Sequence, residues 1–333
     1  MKINSSTRTY GLTCDHLTAA QVVLADGTMI TCDDSSNQDL YWALRGAGAG
    51  NFGVVSALTF RTVREPRAVA FHLSWPDHRM PEAIIVWMGW APTAPDAMAA
   101  SLVVRAHADP SLPTQAHLIG AMIADEPAAV AALKHLEQRV GAAARNRHFP
   151  VAPTSEVKAR LAEVGAEVGA GFATAVEHSA SEFYSQPFPS SLASALVNAV
   201  TAHRIPGQAR ELAFTPMGCA YNRVSSDTTA FVHRDDQFLL EWSATSDPAQ
   251  PTATEQAASQ WLRHIRELLD GHGTGRAYQN FPDPELANPL LAYYGANLPR
   301  LQSIKTHYDP DNFFHHGQSI PPGDIKQISR DPP

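Results

Sequence analysis

Residues 44–55, LRGAGAGNFGVV, gather the residue types that can cradle a ligand with backbone alone. Gly46, Gly48, Gly50 and Gly53 place four glycines within eight residues. Glycine reaches positive φ and lets a ligand or another backbone approach closely. Successive N–H groups in such a turn form a concavity suited to anions. A tight surface loop has the same composition, so the flanks matter. A nucleotide-binding G-x-G-x-x-G follows a strand and opens a helix. Here an apolar helical segment comes first and a β-branched strand pattern follows, so the order is helix, glycine loop, strand. A second concentration lies near the C-terminus, where Tyr278 and Asn280 sit two apart in the run RAYQNFPDP. Residues 276–284 read as a strand entering a proline turn, which puts both side chains on one face. A tyrosine there can both donate and accept a proton. Tyr293 and Tyr294 either line a site or are half-buried with their hydroxyls satisfied.

Composition narrows the chemistry. The 333 residues are 44% hydrophobic and carry a net charge of −8 with no basic block. Nucleic acid is therefore not an expected partner. No apolar run approaches the roughly 20 residues a membrane helix needs, and residues 1–6 lack the apolar core of a signal peptide. An intracellular, reduced setting is the default. Cys14, Cys32 and Cys219 have no metal spacing, and their odd number argues against a disulfide framework. His72, His78, His107 and His117 show no ligand spacing either, and H-E-x-x-H is absent, so no metal is expected.

The positioning elements follow from periodicity. Residues 20–25 and 28–32 read as a hairpin about Asp26-Gly27. Residues 39–44 read as a short helix, capped from Asp34, Ser35, Ser36 or Asn37, and 54–62 as a strand. From 66 onward strands at 69–75, 101–107, 117–124, 209–218 and 236–245 alternate with helices at 81–90, 127–140, 155–164, 190–203 and 252–269. Residues 141–153, with Arg145, Arg147 and His148, read as a loop with a solvated face. Leu298–Tyr308 is a helix. The expected class is α+β, with an antiparallel sheet covered by helices.

Several of these segments together resemble the berberine bridge enzyme-like FAD-linked oxidoreductases of the vanillyl-alcohol-oxidase (PCMH) type. They are YGLTCDH (10–16), VVLADG (22–27), DLYWALRGAGAGNFGVV (39–55), GCAYNRV (218–224), His233-Arg234, AYQNFPDPEL, and the ending YYGANLPRLQSIKTHYDPDNFFHHGQSI. The resemblance spans nearly the whole chain, in outline only over 66–205. It implies that residues 1–65 and 274–333 belong to the C-terminal part of the FAD domain, and 66–273 to a substrate domain whose sheet roofs the flavin. Ala47 and Ala49 stand where glycines are usual, and Phe281 where Tyr is common. The family's chains carry a further half, with the pyrophosphate loop and the flavin-attaching histidine, ahead of the Y-G-L segment. The reading expects that half to be missing or supplied by a separate chain, and the chain as given to hold FAD weakly.

The resemblance implies hydride transfer from a small organic substrate to FAD, usually with dioxygen as the final acceptor. Asp15, Gly48, Gly50, Asn51, Phe52, Gly53, Val54, Val55, Tyr278 and Asn280 are the expected flavin contacts. Tyr278 is the candidate to polarise or deprotonate a hydroxyl, its acidity raised by Arg223. Asn222 and Arg223 are expected on a substrate-domain strand, one of them facing the flavin. Plant relatives place an acidic base on this segment, and 221–224 has none. Glu241, on the neighbouring strand, is a weaker substitute and reads first as an outward strand residue. The alternative to an enzyme is a remnant or scaffold that binds no flavin.

Overall fold

The computed structural model describes residues 7–169, 176–247 and 251–323. The hairpin predicted about Asp26-Gly27 is present. Leu17–Val23 (β1) pairs antiparallel with Met29–Asp33 (β2). Gly27 turns at φ 82°, and the Asp26 carboxylate accepts the Thr28 amide at 2.8 Å. Val54–Phe60 (β3) lies along the other side of β1, giving an antiparallel sheet in the order β2-β1-β3. The helix expected at 39–44 runs Gln38–Ala47 and starts behind Asn37, which takes a left-handed conformation. Its Leu40, Tyr41, Trp42 and Ala43 share one apolar core with Val22 of β1, with Tyr293 and Tyr294 of the helix Pro289–Tyr294, and with Leu301 and Ile304 of the helix Leu298–Tyr308. This unit comprises Gly11–Arg64, Asn222–Asp235 and the chain from Arg276 onward.

The other unit comprises residues up to Tyr10, Glu65–Tyr221 and Asp236–Gly275. Its strands are Arg67–Pro76 (β4), Met98–Ala106 (β5), Gln115–Met122 (β6), Arg145–His148 (β7), Ala152–Pro153 (β8), Val176–Tyr184 (β9), Gln208–Pro216 (β10) and Phe238–Ser246 (β11). They form one antiparallel sheet in the order β7-β4-β6-β5-β10-β11-β9, with β8 beside β4. The helices Met80–Trp90, Glu126–Val140, Ser190–Thr201 and Pro251–Leu269 pack on one face, around Trp87, Phe214 and Trp242. The helix Thr154–Glu167 packs on the other face, at Ala68, Ala70 and Ile119. That second face also carries a buried histidine pair, His72 Nε2 to His117 Nδ1 at 3.0 Å, and the Arg105–Glu211 ion pair. The molecule is thus α+β, with mixed helix and antiparallel sheet.

The structure corrects the sequence reading in four places. Arg145–His148, expected as loop, is an edge strand against β4. Val176–Tyr184 is a full strand that its mixed composition concealed. Asn222 and Arg223 are not on a strand. Pro216 ends β10, and Gly218 (φ 96°) and Cys219 (φ 58°) turn the chain into a single 3-10 turn, Cys219–Tyr221, before them. Residues 276–284 are a turn rather than a strand, because Phe281 N donates back to Tyr278 O at 2.9 Å.

Candidate active site

The site is built around a kink. Helix Gln38–Ala47 loses helical geometry at Arg45 and Gly46, where Gly46 takes φ 140°. A Cβ at Gly46 would lie 2.2 Å from the backbone nitrogen of Phe231, so only glycine fits. Phe231 N donates to Arg45 O and Ala230 N to Trp42 O, each at 3.3 Å, and these bonds lay residues 230–231 along the helix end. The Phe231 ring then meets the edge of Tyr278 at 6.2 Å between centroids, and Phe281 meets Tyr278 at 5.3 Å.

Tyr278 and Asn280 are together, as expected, although by a turn and not by strand alternation. Asn280 Nδ2 donates to the Tyr278 hydroxyl oxygen at 2.7 Å. Burial raises the Tyr278 pKa above its ordinary value; the Asn280 bond works in the opposite direction and nearby Cys14 adds to the rise. The expectation that Arg223 makes Tyr278 more acidic therefore fails, since the net shift is upward and Arg223 is an exposed turn residue. Burial, then the Asp15 charge, pushes the Cys14 thiol up to about 11, so it stays protonated. Asn222 is half-buried on the same turn as Arg223. Glu241 is a half-buried residue of β11, paired across the sheet with Ala213 and Ser181.

The remaining expected contacts divide into internal and open groups. Asp15 accepts Leu12 N at 2.8 Å and both terminal nitrogens of Arg234, at 3.1 and 2.6 Å. Arg234 is 1% exposed and lies 5.1 Å from the Phe231 centroid. Asn51 is fully buried. Its amide donates to Ala47 O and accepts Ile320 N, each at 2.9 Å, and its carbonyl receives Lys305 Nζ at 2.6 Å. Phe52 is fully buried in the apolar core. Gly53 is crowded by Val22 and the Val23 carbonyl. Gly50, at φ 72°, faces open space, and Val54 and Val55 of β3 have exposed side chains. The loop therefore anchors through Asn51 and Phe52 and leaves the 48–50 backbone accessible.

Two residues of the cluster were not singled out from sequence. Phe231 supplies one wall beside Tyr278. Gln279 donates to Gly46 O at 2.6 Å. The prolines at 282 and 284 were the available signal, because a turn there sends Gln279 inward between its two neighbours. His233, fully buried, sits against Phe231 at 5.1 Å between ring centroids. Burial, with Arg276 second, lowers its pKa to about 3, so it is neutral at ordinary pH. Among the described residues no three His, Cys, Asp or Glu side chains converge on a metal-sized site, and no helix is long and apolar enough to cross a membrane.

Comparison with known proteins assigns this arrangement. The family profile described as "Berberine and berberine like" matches residues 277–321, the segment that carries Tyr278 and Asn280. The FAD-linked oxidoreductase YvdP of Bacillus subtilis is 30% identical over 324 residues, which cover 95% of this chain and 68% of that protein. Chitooligosaccharide oxidase of Gibberella zeae is 29% identical over 339 residues, covering 95% of this chain and 65% of that protein. The chain thus spans about two thirds of the length of these relatives. Among solved structures, a chitooligosaccharide oxidase superposes with a TM-score of 0.82 at 24% identity, over 96% of this chain and 69% of its own. The berberine bridge enzyme of Eschscholzia californica gives 0.83 at 20% identity, over 95% and 68%; at these identities both superpositions speak for the fold, which is that of the vanillyl-alcohol-oxidase type. Fold, C-terminal motif and sequence identity agree: the chain belongs to the berberine bridge enzyme-like family of FAD-linked oxidoreductases.

Proposed function

We propose that this chain carries the ring-facing side of an FAD-dependent oxidase acting on a hydroxyl-bearing small organic molecule, with Tyr278 as the proton acceptor. The observation that carries it is the 2.7 Å bond from Asn280 Nδ2 to the Tyr278 oxygen, walled by Phe231 and Phe281. The groups around Tyr278, an amide, a thiol and two phenyl rings, are uncharged, and the nearby Asp15 and Arg234 charges are directed at each other. Such a donor set fits the isoalloxazine end of FAD and a neutral substrate, and is a poor match for a pyrophosphate. Tyr278, Asn280 and the Gly48–Gly50 backbone would line the cofactor, and Asp15 would hold the Y-G-L-T-C-D segment in place through Arg234. FAD, when bound, takes up the hydride, and dioxygen serves as the final acceptor.

The chain's own residues manage the proton. Tyr278 receives it from the substrate hydroxyl, and Asn280 donates to the same phenolic oxygen, favouring the form with more charge on oxygen. Phe231 and Phe281 hold the ring from two sides. Because burial raises the Tyr278 pKa, its basic form is a minority at neutral pH. Flavin reduction should therefore climb about tenfold per pH unit until that raised pKa is reached. The test is anaerobic flavin bleaching by a panel of alcohols and oligosaccharides, beginning with chitobiose and xylobiose because relatives are named chitooligosaccharide and xylooligosaccharide oxidases. Tyr278→Phe should slow bleaching by about 10²–10⁴-fold while costing only about 1 kcal/mol in stability. Bleaching at the parental rate would make Tyr278 a packing residue and end this reading.

A further inference from the structure

We propose that Gln279 is the positioning residue that aims the Tyr278–Asn280 pair, by tying the turn between them to the Gly46 kink. The inference rests on the reading of Tyr278 as the reacting group. It starts from the path of the chain. Upstream of the turn, Ala277 N is fixed to Ala292 O at 3.0 Å. Downstream, Asp283 N is fixed to the Tyr293 hydroxyl at 3.0 Å. Midway, the Gln279 amide nitrogen reaches Gly46 O at 2.6 Å. Tyr278 and Asn280 flank Gln279, so drawing residue 279 inward sets the direction of both neighbours. In the tight turn closed by Phe281 N and Tyr278 O, a shift at 279 is transmitted to both.

The anchor itself is rigid. Gly46 has no room to relax toward Phe231, whose backbone nitrogen would lie 2.2 Å from any added Cβ. The carbonyl that receives Gln279 therefore belongs to a strictly placed peptide. His233, two residues beyond Phe231, is likewise enclosed completely. The charged and titratable groups that bear on His233 are Arg276 and Arg234, and they reinforce the effect of burial in keeping it neutral. Gln279 suits this position because its amide can donate to the Gly46 carbonyl without carrying charge. A glutamate has the same outline but presents a carboxylate oxygen to the Gly46 carbonyl. A methionine fills the same volume and offers no donor.

The test reads Tyr278 directly and needs no substrate. Ring-¹³C-tyrosine is incorporated into the protein, and the Tyr278 signal is assigned by its loss in Tyr278→Phe. In Gln279→Met and Gln279→Glu the Tyr278 signal should shift or broaden as the ring leaves the Phe231 and Phe281 edges, and its titration midpoint should move. The signals of tyrosines remote from the turn should stay in place, and both variants should melt cooperatively. Two variants are used so that poor folding of one leaves the other decisive. A Tyr278 signal and titration identical to the parent in either folded variant overturns the proposal. The outcome is separable from that of the proposed function: turnover of Tyr278→Phe decides whether the tyrosine reacts, and the Gln279 spectra decide what aims it.

Discussion

Replacing Lys305 with methionine should unfasten the glycine loop from the C-terminal segment. Lys305 and Asp309 both have fully buried side chains, one helical turn apart. Lys305 Nζ donates three bonds of 2.6 Å each, to Asn51 O, Asp309 Oδ2 and Phe314 O. Asp309 also accepts the amides of Phe313 and Phe314, at 2.8 and 2.9 Å. Methionine keeps most of the volume and removes all three donors. A buried carbonyl, that of Asn51, and a half-buried one, that of Phe314, lose the lysine, and a buried carboxylate keeps its amide partners but loses its counter-charge. Breaking a buried ion pair from one side costs about 3–5 kcal/mol. At about 2–4 °C per kcal/mol for a cooperative unit of this size, the melting midpoint should fall by roughly 6–20 °C. Burial pushes the Asp309 carboxyl up, but the Lys305 bond, the Phe314 and Phe313 amides and the Lys305 charge outweigh it, leaving its pKa below the ordinary value. A depressed carboxylate stabilises the fold above its unfolded pKa and stops doing so as pH falls through the folded one. The deficit of Lys305→Met against the parent should thus be full above about pH 4 and shrink under stronger acid. Calorimetry of parent, Lys305→Met and the double variant with Asp309→Asn measures this, and the double variant should recover part of the loss because the stranded charge is gone. A midpoint within 2 °C of the parent for Lys305→Met would refute the reasoning, since it would mean the buried charge finds another partner at no cost.

Other outcomes follow from the same structure. Gly50→Val should cost about 1–3 kcal/mol through its positive φ alone, whereas Gly53→Val should cost at least as much for a different reason, contact with Val22 and the Val23 carbonyl; urea melts of both check this, and unchanged midpoints would show the loop yielding freely. Burial lowers the pKa of His117 to about 3, with His72 second, and that of His233 to about 3, with Arg276 second. Their unfolded counterparts bind protons near pH 6.5, so stability should be full above that pH and decline as pH drops toward 3, by up to about 1.4 kcal/mol per pH unit for each histidine. His117→Phe should flatten that slope in urea melts at a series of pH values, and a parent whose stability is level between neutral and mildly acidic pH would contradict the assignment.

The sequence was most legible where one period ruled a segment. The helix Leu298–Tyr308 and the β1–β2 hairpin occur where the patterning put them, because one buried stripe and one Asp-Gly turn leave little choice. Val176–Tyr184 was hidden because its residues mix charge, serine and aromatics on both faces, so alternation never appears. The 276–284 turn misled in the other direction. Tyr, Phe and an alternating pattern favour a strand, yet two prolines and the return bond to Tyr278 O make a turn. The site shows the same limits. Tyr278 and Asn280 were legible as a pair, but Asn51, which resembles a loop contact, is consumed by long-range partners at Lys305 and Ile320, and Phe52 is buried in the apolar core. Separations of more than 250 residues leave no local trace.

The segmented layout of the two units also bears on how the protein comes into being. The chain changes unit after Tyr10, Arg64, Tyr221, Asp235 and Gly275. During synthesis the β1–β2 hairpin emerges well before the helices at 289–294 and 298–308 that share its apolar core. In the interval that core is closed only in part, by the neighbouring helix Gln38–Ala47, the situation in which nascent chains recruit chaperones or associate wrongly. Contacts this distant in sequence also slow the search that closes them. Neither unit can be excised by a single cut, because each is assembled from three separate stretches of the chain.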